Sequence, residues 1–115
     1  MGYSPFQRGA PPERETQMEQ LQDIINSENV TLVDFFATWC GPCKRMHPIL
    51  DNLKVELGDK IRILKVDVDK NEALAQQFAI QSVPTLLLFR KGEAIWRQSG
   101  AMPLNELRAL LDPLL

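Results

Sequence analysis

The segment Val30–Ala37 (VTLVDFFA) constrains the fold of this chain more than any other. It is apolar almost throughout and rich in β-branched and aromatic residues, so it reads as a strand. A strand with one wet face alternates apolar and polar residues. A strand without that alternation is covered on both faces, as in sheets that carry helices on each side. One residue breaks the run: Asp34, in its middle. Three residues after Ala37 comes Cys40-Gly41-Pro42-Cys43, and then a helical stripe of Met46, Leu50, Leu53 and Leu57. Gly58 suits the position just past that helix, and Pro48 inside it removes a backbone bond, so a kink is expected there.

The rest of the chain fits around this unit. Ile61–Val68 reads as a second strand, and a strand–helix–strand connection implies a right-handed crossover with parallel pairing. A helix is expected from about Asn71, a candidate N-cap, with Leu74 and Phe78 on its apolar side. Thr85–Phe89 and Ala94–Ser99 flank Lys91-Gly92 and predict an antiparallel hairpin. Pro103 suits the first position of a last helix whose Leu104, Leu107 and Leu111 face inward, and Pro113 ends it. Near the start, Thr16 and Glu19 form a capping box for a helix from about Gln17, with Met18, Leu21 and Ile25 on one stripe. The order α, β, α, β, α, β, β, α implies one mixed sheet with helices on both faces. Residues 1–12 hold three prolines and no periodicity and read as a tail, leaving 13–115 as the domain. They are not a secretory signal, because no apolar stretch follows a basic start.

Composition removes several classes. A chain of 115 residues is one domain and can bury a core unaided. No apolar run approaches the roughly 20 residues of a membrane span. A net charge of -2 argues against nucleic acid as a partner.

The cysteine pair admits three readings. As a staple it is poor, since closing so small a loop stabilises by roughly 2 kcal/mol. As a zinc site it lacks ligands: Cys40, Cys43 and His47 make three, with no second pair, so no metal is expected and His47 reads as an ordinary surface helix residue. The redox reading fits. Cys40 falls where strand gives way to helix, so a thiolate there meets unpaired N–H groups and the positive end of the helix dipole. Lys44 adds a nearby positive charge, Cys43 at i+3 shares the helix face, and Gly41 and Pro42 fill the turn. Asp34 needs its own account. Burial raises the pKa of a carboxyl, and Lys65, mid-way along the next strand, is its candidate partner. Such a carboxyl is either functional or one half of a plain buried ion pair. Asp67–Glu72 reads as a solvated loop and helix start.

Val33–Lys44 (VDFFATWCGPCK), with Pro48, Lys65, Ser82-Val83-Pro84-Thr85, Gly92 and Gly100-Ala101, resembles the thioredoxin family over about residues 16–115. The resemblance implies an α/β thioredoxin fold. Residues 1–12 offer no strand pattern, so the family's extra N-terminal strand is expected to be absent or poorly formed. That leaves a central mixed four-stranded sheet, flanked by helices on both faces, with Ile61–Val68 as an exposed edge.

The resemblance further implies a protein-disulfide reductase working by dithiol–disulfide exchange, with Cys40 as nucleophile and Cys43 as resolving thiol. Asp34 would move the proton of Cys43 and Lys65 would tune Asp34. Trp39, Gly41, Pro42 and Lys44 would form the active-site turn, and Val83, a cis Pro84, Gly100 and Ala101 would bind substrate. For Trp39 the alternative is core packing, and for Gly100 a plain turn. No cofactor is implied. The implied partners are disulfide-containing target proteins and thioredoxin reductase, a flavoenzyme using NADPH, and the implied state is a cytoplasmic monomer without nucleic-acid or membrane contacts. Two rivals share the same groove: an extracytoplasmic thioredoxin-like reductase whose signal was removed, and a non-catalytic binding subunit. The Gly-Pro pair between the cysteines favours a reductant over an oxidase or isomerase. Phe36 and Ser82 depart from the family's common Trp and Gly, and Ser82 predicts a slightly narrower groove.

Overall fold

Burial of the apolar run decides the architecture. The structure, a computed structural model, describes residues 20–115. The tail, the expectation that the family's first strand is missing, the capping box of Thr16 and Glu19 and the helix start near Gln17 all lie outside the described residues. Residues 20–25 are helical (α1). Then follow β1 (Val30–Phe36), α2 (Gly41–Leu57), β2 (Ile61–Asp67), α3 (Glu72–Gln77), β3 (Thr85–Arg90), β4 (Glu93–Ser99) and α4 (Leu104–Leu111).

The sheet order is β2-β1-β3-β4, with β1 central and buried from Val30 to Phe35. It pairs parallel to β2 and antiparallel to β3, and β3 pairs antiparallel to β4. The period of two along β1 divides the core. Val30 and Leu32 pack with Met46, Leu50, Leu53, Leu86, Leu107 and Leu111, under α2 and α4. Val33 and Phe35 face the other way, against Leu21, Ile25, Leu74, Leu87 and Phe89, under α1 and α3. Alternation therefore puts Asp34 on the α2 side.

The parallel crossover and the hairpin form as expected. Lys91 (φ 53°) and Gly92 (φ 84°) make its turn in the left-handed region that a two-residue hairpin loop requires. Two local expectations need correction. Asn71 holds the N-cap position of α3 without capping it; its Nδ2 instead donates to the Asp67 carbonyl at 2.9 Å. Pro103 is the N-cap of α4, one position before the expected first helical residue. Helix α2 runs unbroken through Pro48. Among the described residues β2 is the outer strand of the sheet, its Ile63, Leu64 and Val66 half-buried. Among them, too, no helix is long and apolar enough to cross a membrane.

Candidate active site

The site grows from the junction of β1 and α2. The chain leaves β1 at Phe36 and turns through Ala37–Trp39, and Cys40 caps α2 in extended conformation (φ -92°, ψ 115°). The Cys43 backbone N–H donates to Cys40 Sγ at 3.2 Å. The cap that Ser or Asp usually supplies is here a sulfur. Pro42 lies in the first turn, where its missing N–H leaves no bond unmade. The two cysteines are paired as a disulfide with Cα atoms 5.3 Å apart. They differ in access: Cys40 is 5% exposed and Cys43 0%. When the pair is reduced, a thiolate on Cys40 gains about 0.3–1 kcal/mol from the helix end alone. Lys44 stands exposed one residue beyond.

The Val83–Pro84 loop meets this junction, and Gly100 is tied to that loop. The Val83–Pro84 bond is cis, and the Val83 carbonyl oxygen lies 3.7 Å from Cys40 Sγ. The Gly100 N–H donates to the Pro84 carbonyl at 2.9 Å, tying the chain after β4 to the Pro84 loop. Gly100 has φ 96°, so its turn requires glycine whatever else it does. Gly41, Pro42, Gly100 and Ala101 are exposed, Val83 is half-buried, and Pro84 is buried beneath the surface rather than part of it.

Trp39 is 70% exposed, which excludes the core-packing alternative. Its Nε1–H donates to Asp69 Oδ2 at 2.9 Å, and the Asp69 N–H donates to Asp67 Oδ1 at 2.9 Å. The acidic stretch after β2, read as a solvated loop, therefore fixes the indole. The parallel register that sets Phe36 beside Asp67 was the available signal, because it carries both strands' following loops to the same edge.

Asp34 is wholly buried, and neither carboxyl oxygen has a hydrogen-bond partner. Burial raises its pKa from 3.8 to about 7, while the positive charge of Lys65 pulls it down. Lys65 stands opposite Asp34 in the β1–β2 register as expected, but its Nζ binds Asp51 of α2 at 3.2 Å. The direct Asp34–Lys65 ion pair does not form. An ammonium keeps part of its hydration beside an exposed carboxylate such as Asp51, and loses it beside a buried one. Lys65 acts on Asp34 through space only.

His47 is not the ordinary surface residue the sequence suggested. Its Nε2 is buried 3.5 Å from Asp34 Oδ2, and its ring meets Phe36 edge-on with centroids 4.9 Å apart. Burial and Lys65 lower its pKa, against Asp51, which raises it. Its spacing of four from Cys43 was the legible clue, since i and i+4 share a helix face. Among the described residues no group of three or more His, Cys, Asp or Glu side chains is arranged to hold a metal.

This constellation agrees with the relatives of the chain. A family model described as Thioredoxin matches residues 13–113. Thioredoxin of Haemophilus influenzae is 45% identical over 89 residues, covering 77% of this chain and 83% of that protein. Thioredoxin of Bacillus subtilis is 44% identical over 86 residues, covering 75% and 83%. Among solved structures, thioredoxin of Malassezia sympodialis superposes with a TM-score of 0.77 at 34% identity, covering 83% of this chain and 85% of that one. A sulfur-capped helix at the end of a central strand, set beside a cis-proline loop, defines a thiol–disulfide oxidoreductase on an α/β scaffold. The chain belongs to the thioredoxin family, and its activity is protein-disulfide reduction.

Proposed function

We infer that Cys40 is the attacking thiol and Cys43 the resolving one. The observation that carries this is their asymmetry: Cys40 caps α2, receives the Cys43 N–H and is 5% exposed, whereas Cys43 is 0% exposed. Cys40 thiolate attacks a target disulfide and forms a mixed disulfide. Cys43 loses its proton to Asp34, and its thiolate attacks Cys40 Sγ and releases the reduced target. Asp34 lies on the α2 side of β1, and Cys43 lies in the buried row of α2, one turn before His47. Lys65 sets the acidity of Asp34 through space.

Trp39, Gly41, Pro42, Val83, Gly100 and Ala101 form the docking surface around Cys40, with Pro84 shaping it from below. Lys44 adds positive charge at its rim. An extended target segment pairs with the Val83 backbone, whose carbonyl already lies 3.7 Å from Cys40 Sγ. The electron donor is thioredoxin reductase with NADPH. The protein works as a cytoplasmic monomer, in a compartment that keeps thiols reduced. Its domain is residues 13–115, and deleting residues 1–12 should leave the melting temperature and reductase rate nearly unchanged.

The test is turnover of a disulfide-bonded protein with NADPH and thioredoxin reductase. Cys40→Ser abolishes it, and Cys43→Ser accumulates the mixed disulfide, seen as a mass adduct on Cys40. Normal turnover by Cys43→Ser, with no adduct, overturns the assignment.

A further inference from the structure

Among the described residues, the buried side-chain polar atoms without a hydrogen-bond partner are three, and they form one cluster: Oδ1 and Oδ2 of Asp34 and Nε2 of His47. Leaving a buried polar atom unmet costs about 1–3 kcal/mol. Gathering them at one spot therefore calls for a use. Nε2 stands 3.5 Å from Oδ2, a fraction of an ångström beyond hydrogen-bond length. The edge-on contact with Phe36 holds the ring in that place. Asp34 has no exposure, whereas the His47 side chain keeps 29%. The imidazole thus spans the wall between a sealed carboxyl and water. The charged groups acting on it are Asp34 from β1, Asp51 one turn further along α2 and Lys65 from β2. Burial raises the proton affinity of Asp34 and lowers that of His47.

We propose that His47 is the proton conduit of Asp34, a positioning residue through which the buried carboxyl exchanges its proton with solvent in each catalytic cycle. The inference rests on the assignment of Asp34 as acceptor of the Cys43 proton. In the resolution step the Cys43 S–H bond breaks and its proton passes to Asp34. The Cys43 thiolate attacks Cys40 Sγ, the Cys40–Cys43 bond forms, and the bond to the target sulfur breaks, the target leaving as a thiolate with the electron pair. That thiolate takes a proton from water. Asp34 now holds a proton with no exposed face of its own from which to lose it. His47 accepts it at Nε2 and releases one from its outer nitrogen, which balances the proton taken by the target. Re-reduction runs the path in reverse.

The experiment is a single-turnover reaction of the reduced protein with a disulfide-bonded model peptide. The mixed disulfide is followed by acid quench and mass spectrometry between about pH 6 and 8, where imidazole titrates. The variants are His47→Ala, His47→Gln, Asp34→Asn and the Asp34→Asn/His47→Ala double. His47→Gln fills nearly the same space, and a thermal melt of each variant separates folding defects from proton transfer. Formation of the mixed disulfide should be unchanged in His47→Ala and His47→Gln. Its decay should slow roughly tenfold near neutrality, below the full effect of losing a general base. Free imidazole should restore the decay rate of His47→Ala, and the double variant should be no slower than Asp34→Asn. If Asp34→Asn is slow but both His47 variants decay like the parent at every pH, the conduit is refuted and the role of Asp34 stands. A loss that imidazole does not restore, or that adds fully to Asp34→Asn, marks the ring as packing and refutes it too. If Asp34→Asn itself decays normally, the assignment of Asp34 falls and the conduit with it.

Discussion

Replacing Asp34 by Asn should make the protein more stable, by an amount that grows with pH. In the fold burial raises this carboxyl from 3.8 to about 7, so the folded state binds the proton more tightly than the unfolded chain does. Its favourable contribution is complete below about pH 4 and is lost as pH rises through about 7. At about 1.36 kcal/mol per tenfold in proton affinity, ionised Asp34 costs the fold about 4 kcal/mol at pH 8 relative to its protonated form. Asn carries no such titration. It keeps a buried polar group, so at about pH 4 the two proteins should be similar in stability. The measurement is urea unfolding of the oxidised proteins, in which the cysteines do not titrate, at pH steps from about 4 to 8. The gap between Asp34→Asn and the parent should widen by about 3–4 kcal/mol across that range, with most of the rise complete by about pH 7. Resolution of the mixed disulfide should slow roughly a hundredfold in the same variant, the smaller end of what a general base contributes. A gap that stays flat with pH would refute the raised pKa. Loss of folding with full activity in the folded fraction would refute the proton-transfer role.

Three further outcomes test the surroundings of the site. Lys65→Met removes the positive charge that pulls the Asp34 pKa down, so the stability–pH curve and the pH–rate profile of resolution should both move to higher pH. Asp69→Ala breaks the bond that fixes the Trp39 indole, and should weaken target binding severalfold, as expected for about 1 kcal/mol, while dithiothreitol still reduces Cys40–Cys43 at the parent rate; an unchanged KM would leave Asp69 a loop residue only. Gly100→Ala meets no atom within 4 Å yet must adopt φ 96°, so it should cost about 1 kcal/mol in a melting experiment. A raised KM for targets beyond that loss would place Gly100 in the docking surface, and an unchanged KM would leave it a turn.

What the sequence disclosed follows from how far each signal reaches along the chain. The buried strand, the helix behind the cysteines and the Lys91-Gly92 turn rest on spacings of a few residues, and all three form. The two-sided core was legible as well, since an unalternating β1 has to be covered twice. Beyond the small local misses at Asn71 and Pro103, the failures involve side chains meeting across elements. The β1–β2 register set Lys65 opposite Asp34, but a long flexible stem reaches several acceptors, and hydration drew it to Asp51. Asp69 and Trp39 are 30 residues apart and meet because two loops leave the same sheet edge, which no local pattern encodes. His47 stood in view as one turn beyond Cys43, yet its partner depends on which face of β1 the helix covers.

On the roles we propose, the chain also separates reactivity from recognition along its length. Cys40, Cys43, Asp34 and His47 all lie between Val30 and Leu57, on one strand and the helix that follows it. Apart from Trp39, Gly41 and Pro42, the docking surface we propose comes from elsewhere: the Val83–Pro84 loop and the Gly100-Ala101 turn, braced to each other by one backbone bond. A strand and a helix fused at a sulfur cap carry the chemistry as a rigid cartridge, loaded into a frame whose rim is drawn from later parts of the chain. Variation in the rim can then redirect the protein to different targets without disturbing the cartridge, and a search for new target preferences belongs at residues 82–84 and 99–101 rather than around the cysteines.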